Sequence, residues 1–158
     1  MLRKRVGAGL ILGLSSVAMA QPAADVAKVA ATVSRLSPEV GGQVGELYFK
    51  VHSAVVRRDV AELRAGCEAR RNAFQVFELL SAPEITGFQT QLNFNAHPQL
   101  TRQVTALLHL SLDLGVVLNT VCGAAPPSQA ELLTAYAIIS NAYGLNRQMA
   151  ESLSVPAR

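Results

Sequence analysis

Hydrophobic residues recur at helical spacing along most of the chain. The clearest stripe lies between residues 56 and 80, where apolar positions are separated by 4, 3, 4, 7 and 3 residues. Its members are Val56, Val60, Leu63, Cys67, Phe74 and Phe77, with Arg70 as the polar interruption. Such spacing places side chains on one face of a helix. A long helix is therefore predicted from about Gly45 to Leu80, with a bend or a split at Gly66.

A separate first helix is predicted over 22–36, where valines stand at helical spacing. Ser37-Pro38-Glu39 then has the pattern of a helix start, because serine caps, proline fits the first turn and an acid favours the N-terminus. The glycines that follow are Gly41, Gly42 and Gly45. Each glycine costs about 0.5–1 kcal/mol in a helix interior. We therefore expect a turn or a frayed helical end at these glycines.

Two further helices are predicted between residues 81 and 122. The segment 81–84 reads S-A-P-E, which has the form of a capping box and predicts a short helix over 83–92. Apolar positions then recur in steps of three and four from Pro98 to Cys122. The piece 108–114 alternates with period two, as a half-buried strand would. Leucine nevertheless favours a helix, and β-branched residues are scarce there, so a helix is predicted.

The last helix follows a second capping box. The segment 128–131 reads S-Q-A-E and stands directly before an apolar run. The stripe consists of Leu132, Tyr136, Ile139 and Tyr143. The sequence as a whole therefore predicts an all-α fold, a four- to five-helix bundle-like single domain without a sheet.

The N-terminal segment has the features of an export signal. Three basic residues at positions 3–5 precede an apolar run over 6–17, and Ala18-Met19-Ala20 matches an A-x-A cleavage site. An uncleaved membrane anchor is the alternative, but the run is shorter than the ~18–20 residues that a spanning helix needs. We expect residues 1–20 to be a cleaved secretory signal peptide and 21–158 to be the mature helical domain, located in the bacterial periplasm.

Signal removal changes what the charge implies. The chain has 14 Lys and Arg against 11 Asp and Glu, but three of the cations lie in segment 1–20, so the remaining chain is formally neutral. A basic composition therefore gives no reason to expect nucleic-acid binding. We also expect no stable membrane insertion after cleavage, because the most apolar later stretch, 107–118, contains His109, Ser111 and Asp113.

The two cysteines predict a disulfide. Cys67 and Cys122 are the only cysteines of the chain, and pairs tend to be oxidised in exported proteins. Closing a loop of roughly 55 residues would stabilise the fold by about 4 kcal/mol in the chain-entropy description. Two buried free thiols are the alternative. Neither cysteine belongs to a C-x-x-C, so a thioredoxin-like role is not indicated.

Two groups of residues are candidates for partner binding. The first is an arginine-rich helix face, with Arg57, Arg58, Arg64 and Arg71, which could dock an acidic partner. The alternative is a solvated face balanced by neighbouring acids. The second is the segment 88–97, in which Phe88, Phe94 and His97 lie among amides. The alternative there is an ordinary connection whose phenylalanines fill the core.

The sequence contains few patterns that indicate catalysis or metal binding. His109 and Asp113 stand four residues apart, as do Tyr48 and His52, but a metal site needs three or four ligands. Met149 and His109 could be the two axial ligands of a haem, but no other feature of the sequence favours this pair. Nucleophile motifs and phosphate-binding glycine loops are absent from the sequence. We therefore expect no cofactor and no enzyme.

Two functions remain open. The first is an exported protein that acts by contact with an envelope protein, as an inhibitor, immunity factor or assembly factor. The second is a carrier that encloses a small apolar ligand between its helices, suggested by the aliphatic content and by small residues such as Ala106, Gly115 and Ala137. A tight aliphatic core explains that content equally well.

Overall fold

The computed structural model describes residues 26–91 and 95–154. Within these ranges the chain forms six helices and no strand, which confirms the predicted all-α fold. The helices are α1 (Val26–Arg57), α2 (Ala61–Ala65), α3 (Cys67–Leu80), α4 (Ala82–Gln91), α5 (Pro98–Val121) and α6 (Gln129–Ser154). The expected signal peptide over 1–20 lies outside the described residues.

The first helix runs through the segment in which a turn was predicted. α1 is 32 residues long and contains Pro38 and the glycines after it, so the predicted break between a first and a main helix is wrong. The reason is tertiary packing. A Cβ on Gly41 would lie 2.5 Å from Asn146 Oδ1 of α6, so this glycine permits a close approach of the two helices. Burial of Val40 and Val44 against α6 and α5 outweighs the intrinsic cost of glycine.

The chain breaks instead at residues 58–60. Arg58 has a φ of 54°, which is the left-handed conformation that commonly ends a helix. The predicted split at Gly66 is confirmed, since this residue separates α2 from α3. Val56 was expected in the core stripe but is 67% exposed. The turn between Val56 and the buried Leu63 redirects the chain, so the two residues do not share one helix face.

The core is formed by the three long helices α1, α5 and α6, which pack against one another. Their apolar stripes are buried as the spacing predicts, and a buried leucine contributes about 1.5–3 kcal/mol. The largest fully buried side chains on these helices include Leu36, Leu47, Leu107, Leu110, Leu114, Leu132 and Ile139. These residues hold α1 and α6 side by side, and that pairing builds the site described below.

α3 and α4 also pack against α5. The rings of Phe74 and Phe77 are buried with centroids 6.4 Å apart. A Cβ on Gly115 would lie 2.9 Å from Phe74 Cζ, so the missing side chain on α5 gives the ring its place. Gly115 therefore serves aromatic packing and does not line a ligand cavity.

α4 is tied to α1 through one carboxylate. Glu84, expected as the acidic partner of a capping box, accepts a hydrogen bond from Thr32 Oγ1 at 3.4 Å and lies 3.6 Å from Arg35 Nη2. The predicted short helix is present, and its acid joins two helices. Phe88, on the same helix, is buried in the core at 8% exposure.

The predicted disulfide is present. Cys67, at the start of α3, bonds to Cys122, which caps α5, with a Cα–Cα distance of 5.4 Å and a sequence separation of 55. This bond fixes the α2–α3 segment to the end of α5. It is the one covalent link between elements distant in sequence among the described residues.

The second capping box is also confirmed. The Ser128 N–H donates to Glu131 Oε2 at 2.7 Å, and the Glu131 N–H donates to Ser128 Oγ at 3.3 Å. Both the side-chain and the backbone hydrogen bonds from Ser128 lower the pKa of Glu131. The reciprocal bonds satisfy amides that a helix start otherwise leaves unpaired, and they fix where α6 begins.

α5 is the one helix in the described ranges that combines the length and apolarity of a membrane span. Its most apolar 18-residue window has a mean hydropathy of 1.6, and 56% of that window is buried inside the fold. The burial arises because α1, α3, α4 and α6 all pack against this helix. That position explains its apolar composition by core packing.

Candidate functional site: an aromatic face on α1 and α6

α1 and α6 pack as antiparallel neighbours along much of their length. Ser37 Oγ lies 3.9 Å from Met149 Sδ, and a Cβ on Gly45 would lie 3.9 Å from the Tyr143 ring. Farther along α1, His52 lies beside Tyr136. Because residue numbers rise on α1 while they fall on α6, side chains far apart in sequence meet in one row.

Five rings meet in this row, and they have defined stacking. Tyr48 and Tyr143 lie with centroids 4.5 Å apart and planes 7° from parallel. Phe49 meets Tyr143 edge to face at 5.9 Å, and Tyr48 stacks on Tyr136 at 6.1 Å. His52 stands 5.5 Å from Tyr136. Aromatic pairs in these arrangements contribute about 0.5–1.5 kcal/mol beyond burial, so the cluster is held rigidly.

Part of the cluster is exposed. Phe49 is 60% exposed, and Val56 and Leu133, one helical turn beyond His52 and Tyr136 respectively, are 67% and 49% exposed. We call the following set the aromatic face: Tyr48, Phe49, His52, Val56, Leu133, Tyr136 and Tyr143. Exposed apolar surface of this kind, rimmed by polar groups, marks interaction sites. Half of the exposed large hydrophobic residues found in the described ranges belong to this face.

The face offers hydrogen-bonding groups. Tyr136 Oη and His52 Nδ1 share a hydrogen bond of 3.2 Å. The hydrogen bond to Tyr136 raises the pKa of Tyr48, and the neighbouring phenols and partial burial raise it further. Tyr48 therefore stays protonated at any physiological pH. Its hydroxyl can donate or accept a hydrogen bond without introducing charge.

Two cations beside the face share one carboxylate of the protein. Lys50 and Arg57 of α1 both pair with Glu62 of α2. The hydrogen bond and charge of Lys50, together with the charge of Arg57, lower the pKa of Glu62. These three groups together keep one formal positive charge at the rim of the aromatic face.

The predicted arginine face is divided by the structure. Arg64 Nη1 donates to the Ala125 carbonyl at 2.8 Å, and Arg71 Nη1 donates to the Cys122 carbonyl at 3.3 Å. These carbonyls follow the end of α5, where a cation is favourable. Arg57 and Arg58 remain exposed. Arg64 and Arg71 thus secure the loop after α5, and the four arginines do not form one free surface.

The second predicted group comprises Phe88, Phe94 and His97, and it lies away from the arginine-bound carbonyls. Phe88 is buried, Phe94 lies outside the described residues, and His97 stands before the start of α5, where its carbonyl accepts the Thr101 N–H at 3.0 Å. α5 is about 36 Å long at 1.5 Å per residue. His97 and the arginine-bound carbonyls at Cys122 stand at opposite ends of this helix, so the two groups cannot act as one site.

The sequence suggests His109 with Asp113 and Tyr48 with His52 as metal pairs, and Met149 with His109 as a haem pair. Within the described ranges, no group of three His, Cys, Asp or Glu residues lies close enough to hold a metal ion. His109 and Asp113 line a cleft against Asn141 and Leu145 of α6. Burial raises the pKa of Asp113, and the charge of His109 opposes that shift. Met149 lies instead against Ser37 of α1.

Sequence reasoning missed the aromatic face. Tyr136 and Tyr143 were assigned to a core stripe, and Tyr48 was considered with His52 only as a metal pair. One signal was present: the chain has three tyrosines and no tryptophan. Which stripes meet is decided by tertiary packing, so the sequence alone did not bring them together.

The fold and site thus define an all-helical, disulfide-linked protein with a partly exposed aromatic cluster. No protein-family model matches this sequence, and comparisons with curated proteins and with solved structures find no significant match.

Proposed function

We propose that the protein is exported to the bacterial periplasm and acts there by binding an envelope protein through the aromatic face. The observation that carries the proposal is the row of stacked rings between α1 and α6, with Phe49 at 60% exposure beside it. Tyrosine and phenylalanine are enriched at protein interfaces, where rigid rings bury a large area at low entropic cost.

Export is supported by two features of different kinds. The N-terminal 20 residues have the charged, apolar and small-residue regions of a secretory signal. The Cys67–Cys122 bond fits an oxidising compartment.

The partner is expected to present a mainly apolar surface. Lys50 and Arg57 share the Glu62 carboxylate, so an acidic group of a partner would compete with an ion pair that the protein already makes. The tyrosine hydroxyls and His52 can instead exchange hydrogen bonds with neutral groups. Binding should therefore depend on apolar area and shape, and only weakly on salt.

Position-specific crosslinking in the source bacterium tests this proposal. A photoreactive residue replaces Phe49 in one variant and Leu112 in another, which is 65% exposed on α5 and serves as the matched control. We expect one crosslinked species of discrete mass from position 49 and none from position 112. Equal crosslinking at both positions, or a product that is a dimer of this chain, would contradict the proposal.

A second candidate, a carrier of a small apolar ligand, is favoured by one observation. A cleft of about 230 Å³ lies between α1, α3 and α5. The small residues first considered do not form it, since Gly115 faces Phe74 and Ala137 is exposed. Its own small residues are Gly66, which precedes α3, and Ala69 and Ala73 of α3.

A further inference from the structure

The cleft between α1, α3 and α5 has an apolar floor and a charged mouth. Leu47, Leu114 and Leu118 are buried beneath it. Gly66, Ala69 and Ala73 line its α3 side. Because these three residues carry at most one side-chain carbon, α3 leaves the space that larger residues would fill.

A guanidinium stands at the mouth of the cleft. The Arg70 side chain is only 14% exposed; its Nε donates to Glu46 Oε1 at 2.9 Å and its Nη1 donates to the Leu63 carbonyl at 2.8 Å. A Cβ on Gly66 would lie 2.7 Å from Arg70 Nη2. The glycine therefore lets the guanidinium lie flat against the backbone.

The ion pair is unequal in exposure. Glu46 is 58% exposed, four times as much as Arg70, so water can replace the carboxylate while the guanidinium stays in place. An arginine buried to this degree beside apolar walls binds carboxylates well. Its planar donors match the carboxylate geometry, and the site is partly shielded from water. Glu46 occupies the position that an external carboxylate would take.

We propose that this cleft binds a small monocarboxylate with an apolar tail, whose head replaces Glu46 on Arg70 and whose tail lies against Ala69 and Ala73 of α3. The cleft is larger than the roughly 150 Å³ that accommodate benzene, and it is below the ~300 Å³ of typical drug-sized sites. A tail of about five or six carbons fits that space. This inference rests on the second candidate function and is independent of the aromatic face.

Calorimetric titration of the full mature chain with hexanoate tests the inference, with hexan-1-ol as the neutral control. We expect saturable hexanoate binding with one site per chain and at least tenfold weaker binding of hexanol. Glu46→Gln removes the internal competitor and should strengthen hexanoate binding severalfold. Ala73→Leu fills the cleft without altering charge and should abolish binding, and Ala69→Leu serves the same purpose if the first variant does not fold.

The inference is overturned if folded wild-type protein shows no saturable hexanoate binding at millimolar concentration. It is equally overturned if hexanol binds as tightly as hexanoate, or if the folded cleft-filling variant still binds. A Phe49→Glu variant should bind hexanoate as the wild type does. Failure of the cleft is thereby distinguished from failure of the aromatic face.

Discussion

Tyr48 of α1 and Tyr143 of α6 stack face to face, with ring centroids 4.5 Å apart and planes 7° from parallel. This contact joins the two helices at the centre of the aromatic face. Stability and the proposed partner binding therefore share residues at this place, and variants must separate the two roles.

Replacing Tyr143 with alanine should lower the free energy of unfolding by about 1–3 kcal/mol, because the ring loses its stacking with Tyr48 and partial burial. Phe49→Ala should change it by less than about 0.5–1 kcal/mol, since this ring is 60% exposed. Urea denaturation followed by circular dichroism measures both. Equal losses in the two variants would show that the exposed ring supports the fold.

The disulfide should protect both cysteines from alkylation until the protein is unfolded and reduced. Since the bond closes a separation of 55 residues, the Cys67→Ser, Cys122→Ser double variant should lose about 4 kcal/mol of unfolding free energy. Mass spectrometry after iodoacetamide treatment reports the oxidation state, and denaturant titration reports the stability. Ready labelling of the untreated, denatured protein would contradict the bond.

The arginines should differ in their effect on stability. Arg64→Glu places a carboxylate against the Ala124 and Ala125 carbonyls that the guanidinium now binds, and should cost about 1–3 kcal/mol. Arg57→Glu changes an exposed ion pair and should alter stability by roughly 0.5 kcal/mol or less. Thermal unfolding of the two variants compares them directly. A larger loss of stability for Arg57→Glu than for Arg64→Glu would contradict the role of Arg64 in securing the loop after α5.

The capping box at the start of α6 should give a pH-dependent contribution. Hydrogen bonds from Ser128 lower the pKa of Glu131 in the folded state, so the stabilisation is complete above the unfolded pKa of about 4.3 and disappears as pH falls through the lower folded value. Glu131→Ala should therefore reduce the melting temperature at neutral pH, and the difference should vanish in strong acid. A destabilisation by Glu131→Ala that persists unchanged in strong acid would contradict this contribution.

Local sequence features predicted much of the fold. The capping box at Ser128, the split at Gly66 and the cysteine pairing all depend on residues close in sequence or on composition, and each is confirmed. The break predicted near Pro38 failed because a glycine that weakens an isolated helix also permits close contact with Asn146. At Gly41 the cost of glycine to helix stability opposes the stabilisation from packing against α6, and the packing contributes more.

The site was less accessible to sequence reasoning. The arginines were grouped by their spacing on one helix, but Arg64 and Arg71 turn to the carbonyls after α5, which are distant in sequence. The aromatic face likewise requires knowing that α1 packs antiparallel to α6. Periodicity gives the faces of each helix and does not say which faces meet.

The affinity of the purified protein for the partner identified by crosslinking tests the central claim most directly. Phe49→Glu should weaken that affinity at least tenfold, because burying an unpaired charge at an aromatic contact is costly. Leu112→Glu, equally exposed on another helix, should leave the affinity unchanged. An unchanged dissociation constant for Phe49→Glu, measured on folded protein, would contradict binding through the aromatic face.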